Sequence, residues 1–317
     1  MTQSLPSSFV LAEHIHYARS VGSPVVALES AVITHGLPAP HNIELARDME
    51  AEVRAHGATP ATIALLGGKV HIGLTEAQID DLGRMEHTRK ISLRDVGIAL
   101  AGGLSGGTTV AATLFAAATA GIRVFATGGI GGVHRSAPFE PGRGFDISTD
   151  LVQLGRSPLV VVCAGAKAIL DLPATREVLE TNGVPVIGYQ TDEFPGFFTR
   201  SSGLPVDFRV DTPEAAAKIA QAAWGAGLKQ AVLLVVPPPE EVAMPADEME
   251  AAIQDALGEA QLAGIHGATT TPFLLQRVNE LTGGESLRAN LALLKNNARV
   301  AAQVARALRP FVGSGEF

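Results

Sequence analysis

Short apolar runs recur along this chain with helical stretches between them, and that alternation constrains the fold more than any other feature. The runs are Val25-Val26-Ala27-Leu28, Ile63-Ala64-Leu65-Leu66, Val124-Phe125-Ala126, Leu159-Val160-Val161-Val162, Val184-Pro185-Val186-Ile187 and residues 231–236. Each is short and unbroken by polar alternation, which suits a strand buried on both faces. Between them, residues 42–56 set Ile43, Ala46, Met49 and Val53 at spacings of three and four, the pattern of an amphipathic helix. The class expected is α/β, with a mostly parallel, mixed central sheet and helices on both faces. The mixed part comes from Gly67-Gly68-Lys69, which reads as a hairpin turn between residues 63–66 and 70–72.

From Pro245 onward the pattern turns helical, over 246–262, 272–281 and 286–308. No long polar linker precedes these segments, so they read as a C-terminal helical layer and residues 1–312 as one domain. Residues 313–317, Gly-Ser-Gly-Glu-Phe, read as a flexible tail or cloning remnant. A 46% hydrophobic content over 317 residues supplies a large core. The net charge of −8, without long basic runs, argues against a nucleic-acid groove. No window has the length of a membrane span and the N-terminus lacks a basic segment followed by a continuous apolar stretch, so a soluble, cytoplasmic protein is expected. Cys163 is the only cysteine. It excludes an internal disulfide and a multi-thiolate metal site, and it fits a reducing, cytoplasmic setting.

Ligands of such folds bind beyond the carboxyl ends of parallel strands. That rule gathers Glu29 after the first run, Thr127-Gly128-Gly129-Ile130-Gly131-Gly132 after the third, and Lys167 at the end of Cys163-Ala164-Gly165-Ala166-Lys167 after the fourth. A helix is expected to start at residues 168–172. A lysine there faces the positive end of the helix dipole beside apolar surface, and both effects favour the neutral, nucleophilic amine. A lysine lying along the sheet edge with its ammonium in water is the ordinary alternative. Glu29 is costly to bury unless it is paired, so a function or a buried ion pair should explain it.

The glycine loop offers main-chain N–H groups to an anion such as phosphate, though it lacks the pattern of a nucleotide P-loop. A second glycine run, residues 102–107, leads through Thr108 and Thr109 into an alanine-rich helix over 110–120. Thr108 reads as its cap, and the helix start can equally hold a phosphate. Lys90 and His134 would add charge or hydrogen bonds nearby. Asp146 and Asp150 are four residues apart, so one helical turn would bring them onto one face, as a divalent-cation site or an acidic first turn. Asn290 stands in the terminal helix, where Asn is not favoured, and can reach into the crevice.

Taken together, several segments carry a resemblance. They are Ala27-Leu28-Glu29-Ser30, Lys90-Ile91-Ser92, Gly107-Thr108-Thr109-Val110, Thr127 through Arg135, Phe145-Asp146-Ile147-Ser148, Cys163 through Lys167, and Thr271-Pro272-Phe273-Leu274-Leu275. From about residue 25 to 307 the chain resembles the pseudouridine-5'-phosphate glycosidases, also described as indigoidine synthase A-like. One departure is the stretch 136–144, longer than usual in the family and carrying two prolines.

The resemblance implies reversible cleavage of pseudouridine 5'-phosphate to uracil and ribose 5-phosphate, with Mn2+ as the usual metal and a homotrimeric assembly. It implies Lys167 as nucleophile, Glu29 as proton donor and Asp146 as metal ligand. Lys90, Thr109, Val110, Thr127, Ser148, Thr149, Asp150 and Asn290 fall at substrate contacts, and His134 where the phosphate is held. The alternatives are a Schiff-base aldolase-type lyase on a sugar phosphate, which shares the lysine and the phosphate loop, and a non-catalytic phosphate-ligand binder.

Overall fold

The computed structural model describes residues 5–37, 39–135, 146–265 and 270–308. The stretch 136–144, Phe145 and the tail 313–317 lie outside the described residues.

Thirteen strands are present among the described residues. The first six are β1 (Phe9–Leu11), β2 (Val25–Leu28), β3 (Thr59–Leu66), β4 (Lys69–Ile72), β5 (Arg89–Ile91) and β6 (Gly106–Thr108). Then come β7 (Val124–Ala126), β8 (Val133–His134), β9 (Val160–Cys163), β10 (Leu170–Asp171), β11 (Val186–Tyr189), β12 (Phe208–Val210) and β13 (Val232–Val235). Eleven of them form one sheet whose main path runs β1-β4-β3-β2-β7-β9-β13-β11-β12, with β6 on β3 and β5 on β6. Every pairing from β3 through β12 along that path is parallel. Antiparallel pairs are β3 with β4 and β3 with β6, so the sheet is mixed and mostly parallel, as the apolar runs imply. Leu66 stands opposite Lys69 across a two-residue turn. Gly67 and Gly68 take φ of +54° and +73° there, the left-handed pair that a tight hairpin turn requires.

All residues of β7, β9, β11 and β13 are buried, so both faces of the central strands are covered. The terminal helix (Glu285–Ala307) lies across β2, β7 and β9 and packs on the helices His41–Ala55 and Pro213–Gly225. Its Leu293, Leu294, Ala298, Ala301 and Val304 are buried, so the C-terminal helical layer packs directly on the sheet. The helix Val110–Thr119 packs on β2, β3 and β4 and against the short helix Thr149–Leu154. Thr109, rather than Thr108, caps it, accepting from the Ala112 N–H at 3.5 Å. Thr108 is buried and spends its hydroxyl on the Ile63 carbonyl at 2.7 Å and on Thr113.

The segment after Lys167 also differs from expectation. Residues 170–171 form β10, antiparallel to β8, and the helix begins only at Leu172. The Asp171 carboxylate caps it, accepting from the Ala174 N–H at 2.9 Å, and Pro173 sits in its first turn. Lys167 is therefore not at a helix start, and no helix dipole acts on it there.

Candidate active site

The ends of β2, β7 and β9 are neighbours, and the chain leaving each carries one functional group. Beyond β7 and β9 the backbones stay paired. The Thr127 N–H donates to Val162 O at 3.0 Å, Ala164 N–H to Gly128 O at 2.8 Å, Ile130 N–H to Gly165 O at 3.0 Å and Lys167 N–H to Ile130 O at 3.1 Å. The glycine loop thus runs as a splint beside Cys163 through Lys167 and fixes where Lys167 leaves the sheet. Gly165 holds φ at +88°, and a Cβ on it would meet the Pro195 carbonyl, so the turn before the lysine accepts glycine alone.

A pocket opens over these strand ends. Glu29, Lys90, Thr127, Lys167 and Asn290 all line it, together with His35. Lys90 arrives from β5, where it stands opposite Gly107 of β6. His35 comes from the π-helical turn Val32–Gly36, and Asn290 from the terminal helix. A second cavity shares His35, Pro272, Leu275 and Asn290 with this one, so the pocket extends toward the helix Thr270–Leu281.

The two carboxylates of the site meet different surroundings. Burial pushes the Glu29 carboxyl above the usual carboxylate range; the Lys167 charge, a hydrogen bond from Thr127 Oγ1 and Lys90 pull it back, while Asp150 adds to the rise. Asp150 instead accepts the Ala111 N–H on Oδ1 and the Gly131 N–H on Oδ2, both at 2.9 Å. It ties the start of the helix Val110–Thr119 to the glycine loop. A Cβ on Gly131 would collide with Ser148 Oγ and come within 2.8 Å of Asp150 Oδ2. Burial, and then the charge on Lys167, push the Lys90 ammonium down, while Glu29 and Asp150 act in the opposite direction. His134 is also pushed down by burial, against Asp146 and with Lys167 and Lys90, so near neutral pH it offers a hydrogen bond rather than charge.

Val110, Thr109, Ser148, Thr149 and Asp150 gather at the two helix starts beside Gly131, next to the pocket rather than among its lining residues. Asp146 and Asp150 do not share a helix face. Ser148 caps the helix Thr149–Leu154 by accepting the Asp150 N–H at 3.2 Å, which leaves Asp146 outside in extended chain, exposed, with His134 Nε2 3.9 Å from its Oδ2. Cys163 is buried, and burial pushes its thiol up to about 12, which leaves it an inert core residue.

Two residues of the site carry no signal in sequence spacing. Arg135 donates to the Ala168 carbonyl at 2.9 Å and the Leu170 carbonyl at 3.1 Å, on either side of the turn that follows Lys167. It also pairs with Glu250 of the helix Ala246–Leu262 at 2.5 Å. Phe197 lines the pocket with φ at +67°, a conformation few non-glycine residues hold.

The model of the family described as indigoidine synthase A like protein matches residues 14–307. The chain belongs to the indigoidine synthase A-like family. Within this family, the chain is 52% identical to a pseudouridine-5'-phosphate glycosidase of Caldanaerobacter subterraneus subsp. tengcongensis, over 93% of this chain and 95% of that one. It is 54% identical to one of Herpetosiphon aurantiacus, over 95% and 98%. Two solved structures share the fold. The prealnumycin C-glycosynthase AlnA, in complex with ribulose 5-phosphate, is 41% identical with a TM-score of 0.87, covering 96% of this chain and 98% of its own. An indigoidine synthase A-like protein from Thermotoga maritima is 37% identical with a TM-score of 0.86, covering 98% and 100%. The mixed, mostly parallel sheet described above is thus the fold of this family.

Proposed function

We propose that this chain is a pseudouridine-5'-phosphate glycosidase, which cleaves pseudouridine 5'-phosphate to uracil and ribose 5-phosphate and runs in reverse. The observation that carries the reading is the meeting of Lys167 and Glu29 in one pocket, beyond the ends of two parallel strands that flank β7, in a chain about half identical, over nearly its whole length, to glycosidases of that name. The ribulose 5-phosphate complex of the C-glycosynthase supports a pocket that accepts an open pentose phosphate.

The bond to be broken joins two carbons, so protonating a leaving oxygen, as ordinary glycosidases do, cannot release the base. The amine of Lys167 attacks C1′ of the ribose. The C1′–O4′ bond breaks, O4′ takes a proton, and the ring opens. The nitrogen lone pair then expels the uracil ring as Glu29 delivers a proton to C5, leaving an imine between Lys167 and C1′. Water hydrolyses the imine and releases ribose 5-phosphate. A carboxyl raised by burial keeps its proton to higher pH than an ordinary carboxyl, the direction the donor role requires.

The phosphate lies far from the broken bond, so its binding orients the sugar and helps drive ring opening. Lys90, the neutral His134 imidazole, Thr109 and Ser148 are the donors proposed for it. Manganese belongs to the same proposal. The donors are the Asp146 carboxylate and the nearby His134, and among the described residues no cluster of three His, Cys, Asp or Glu side chains forms. That set fits a hard divalent cation that keeps most of its waters. Bound there, it would supply positive charge and ordered water beside the sugar. A homotrimer and a cytoplasmic location complete the reading, the first supported by the family resemblance and the second by a single buried, unpaired cysteine. Among the described residues no helix is long and apolar enough to cross a membrane.

The test is to mix the protein with uracil, ribose 5-phosphate and Mn2+ and look for pseudouridine 5'-phosphate. Its formation is expected, and its absence would defeat the reading in favour of an aldolase-type lyase.

A further inference from the structure

Asn297 sits within the terminal helix with no solvent exposure, among Leu293, Leu294, Val300 and Ala301, all buried. An amide is an uncommon choice in such a place. Its Nδ2 donates to two main-chain carbonyls, Thr127 O at 2.9 Å and Gly128 O at 3.3 Å. Two carbonyl partners fix which way the amide faces, and they leave Oδ1 buried with no partner. A leucine of similar size would fill the space without that unpaired acceptor. The amide is therefore retained for what its Nδ2 holds.

What it holds is the turn that carries Thr127, whose hydroxyl donates to Glu29 Oε1. That turn is pinned on one side by β9 and its continuation, through Val162 O and the Ala164 N–H. On the other side Asn297 grips it. We infer that Asn297 is a positioning residue for the proton donor: by holding the carbonyls of Thr127 and Gly128 it sets the Thr127 hydroxyl against Glu29. The inference rests on the reading of Glu29 as the acid. The other groups that bear on Glu29 are Lys167, Lys90 and Asp150, and the hydrogen bonds of Asn297 go to none of them.

The experiment compares wild type, Asn297→Leu, Thr127→Val and the double variant by the pH dependence of kcat/KM for cleavage. The Thr127 bond favours the carboxylate, so losing it lets Glu29 keep its proton to higher pH. Asn297→Leu is expected to lower kcat/KM and to move the high-pH limb up by about one pH unit, the effect of one lost hydrogen bond to a charged group. Thr127→Val should do the same, and the double variant no more than either alone. A wild-type limb in Asn297→Leu, or effects that add in the double variant, would overturn the inference. If leucine at 297 gives no folded protein, Asn297→Ser, whose hydroxyl cannot reach both carbonyls, is judged by the same limb. Difference infrared spectra of the carboxyl band that Glu29→Gln deletes titrate Glu29 without turnover. A wild type inactive on pseudouridine 5'-phosphate would then defeat the functional reading alone, and an infrared titration unmoved in Asn297→Leu would still defeat this inference.

Discussion

Thr127 donates its hydroxyl hydrogen to Glu29 Oε1 across the ends of two neighbouring parallel strands. The bond steadies a carboxyl that burial drives toward its protonated form. The direction of that shift fixes a pH signature. Between the ordinary value of 4.5 and the raised value, the folded protein holds a proton that the unfolded chain has lost. Stability contributed by this residue therefore falls as pH rises through that window.

Glu29→Gln should lower cleavage about a hundredfold to ten-thousandfold, the range for losing a general acid. Its melting temperature should exceed that of wild type by a margin that grows with pH above 4.5 and vanishes below it. Melting curves at several pH values check this, and a margin that shrinks with rising pH would contradict a raised carboxyl.

Gly131→Ala places a methyl group against Ser148 and Asp150. Crowding of this kind costs about 1–3 kcal/mol. The same variant should weaken pseudouridine 5'-phosphate binding, because Asp150 would lose its grip on the loop. Denaturant unfolding alongside a substrate titration reads both effects.

Arg135 and Glu250 form one ion pair, yet their removal should be unequal. Glu250→Gln loses a half-exposed pair, worth about 1 kcal/mol or less. Arg135→Ala also strips the Ala168 and Leu170 carbonyls of their donor, so it should cost more stability and slow turnover by disordering the turn after Lys167. Equal effects of the two variants on unfolding and kcat would show that the carbonyl contacts contribute nothing.

Cys163 should resist alkylation in the native protein at neutral pH and react after denaturation, since its thiol is buried and raised to about 12. Iodoacetamide labelling followed by mass measurement gives the answer directly.

The central strands were legible because β2, β7, β9 and β13 are buried on both faces, and burial writes itself as an unbroken apolar run. With the strand-end rule, those runs also located Glu29, the glycine loop and Lys167. The shortest strands were not legible. β6 is Gly-Gly-Thr and β8 and β10 have two residues each, so their pairing depends on partners distant in sequence. The helix after Lys167 was placed too early, although Asp171 before Leu172-Pro173 is a cap-and-proline signal that marks its true start. Asp150 looked like half of an acidic pair, while its work is to bind two main-chain N–H groups from separate segments. Arg135 and Asn297 act on carbonyls of distant chain, and no local pattern announces that.

The central claim is that Lys167 attacks the sugar carbon. Borohydride reduction of the protein in the presence of ribose 5-phosphate, followed by peptide mass mapping, tests it most directly. The account predicts a pentose phosphate adduct on Lys167 that Lys167→Ala abolishes along with turnover. An adduct confined to another lysine, or full activity in Lys167→Ala, would contradict it.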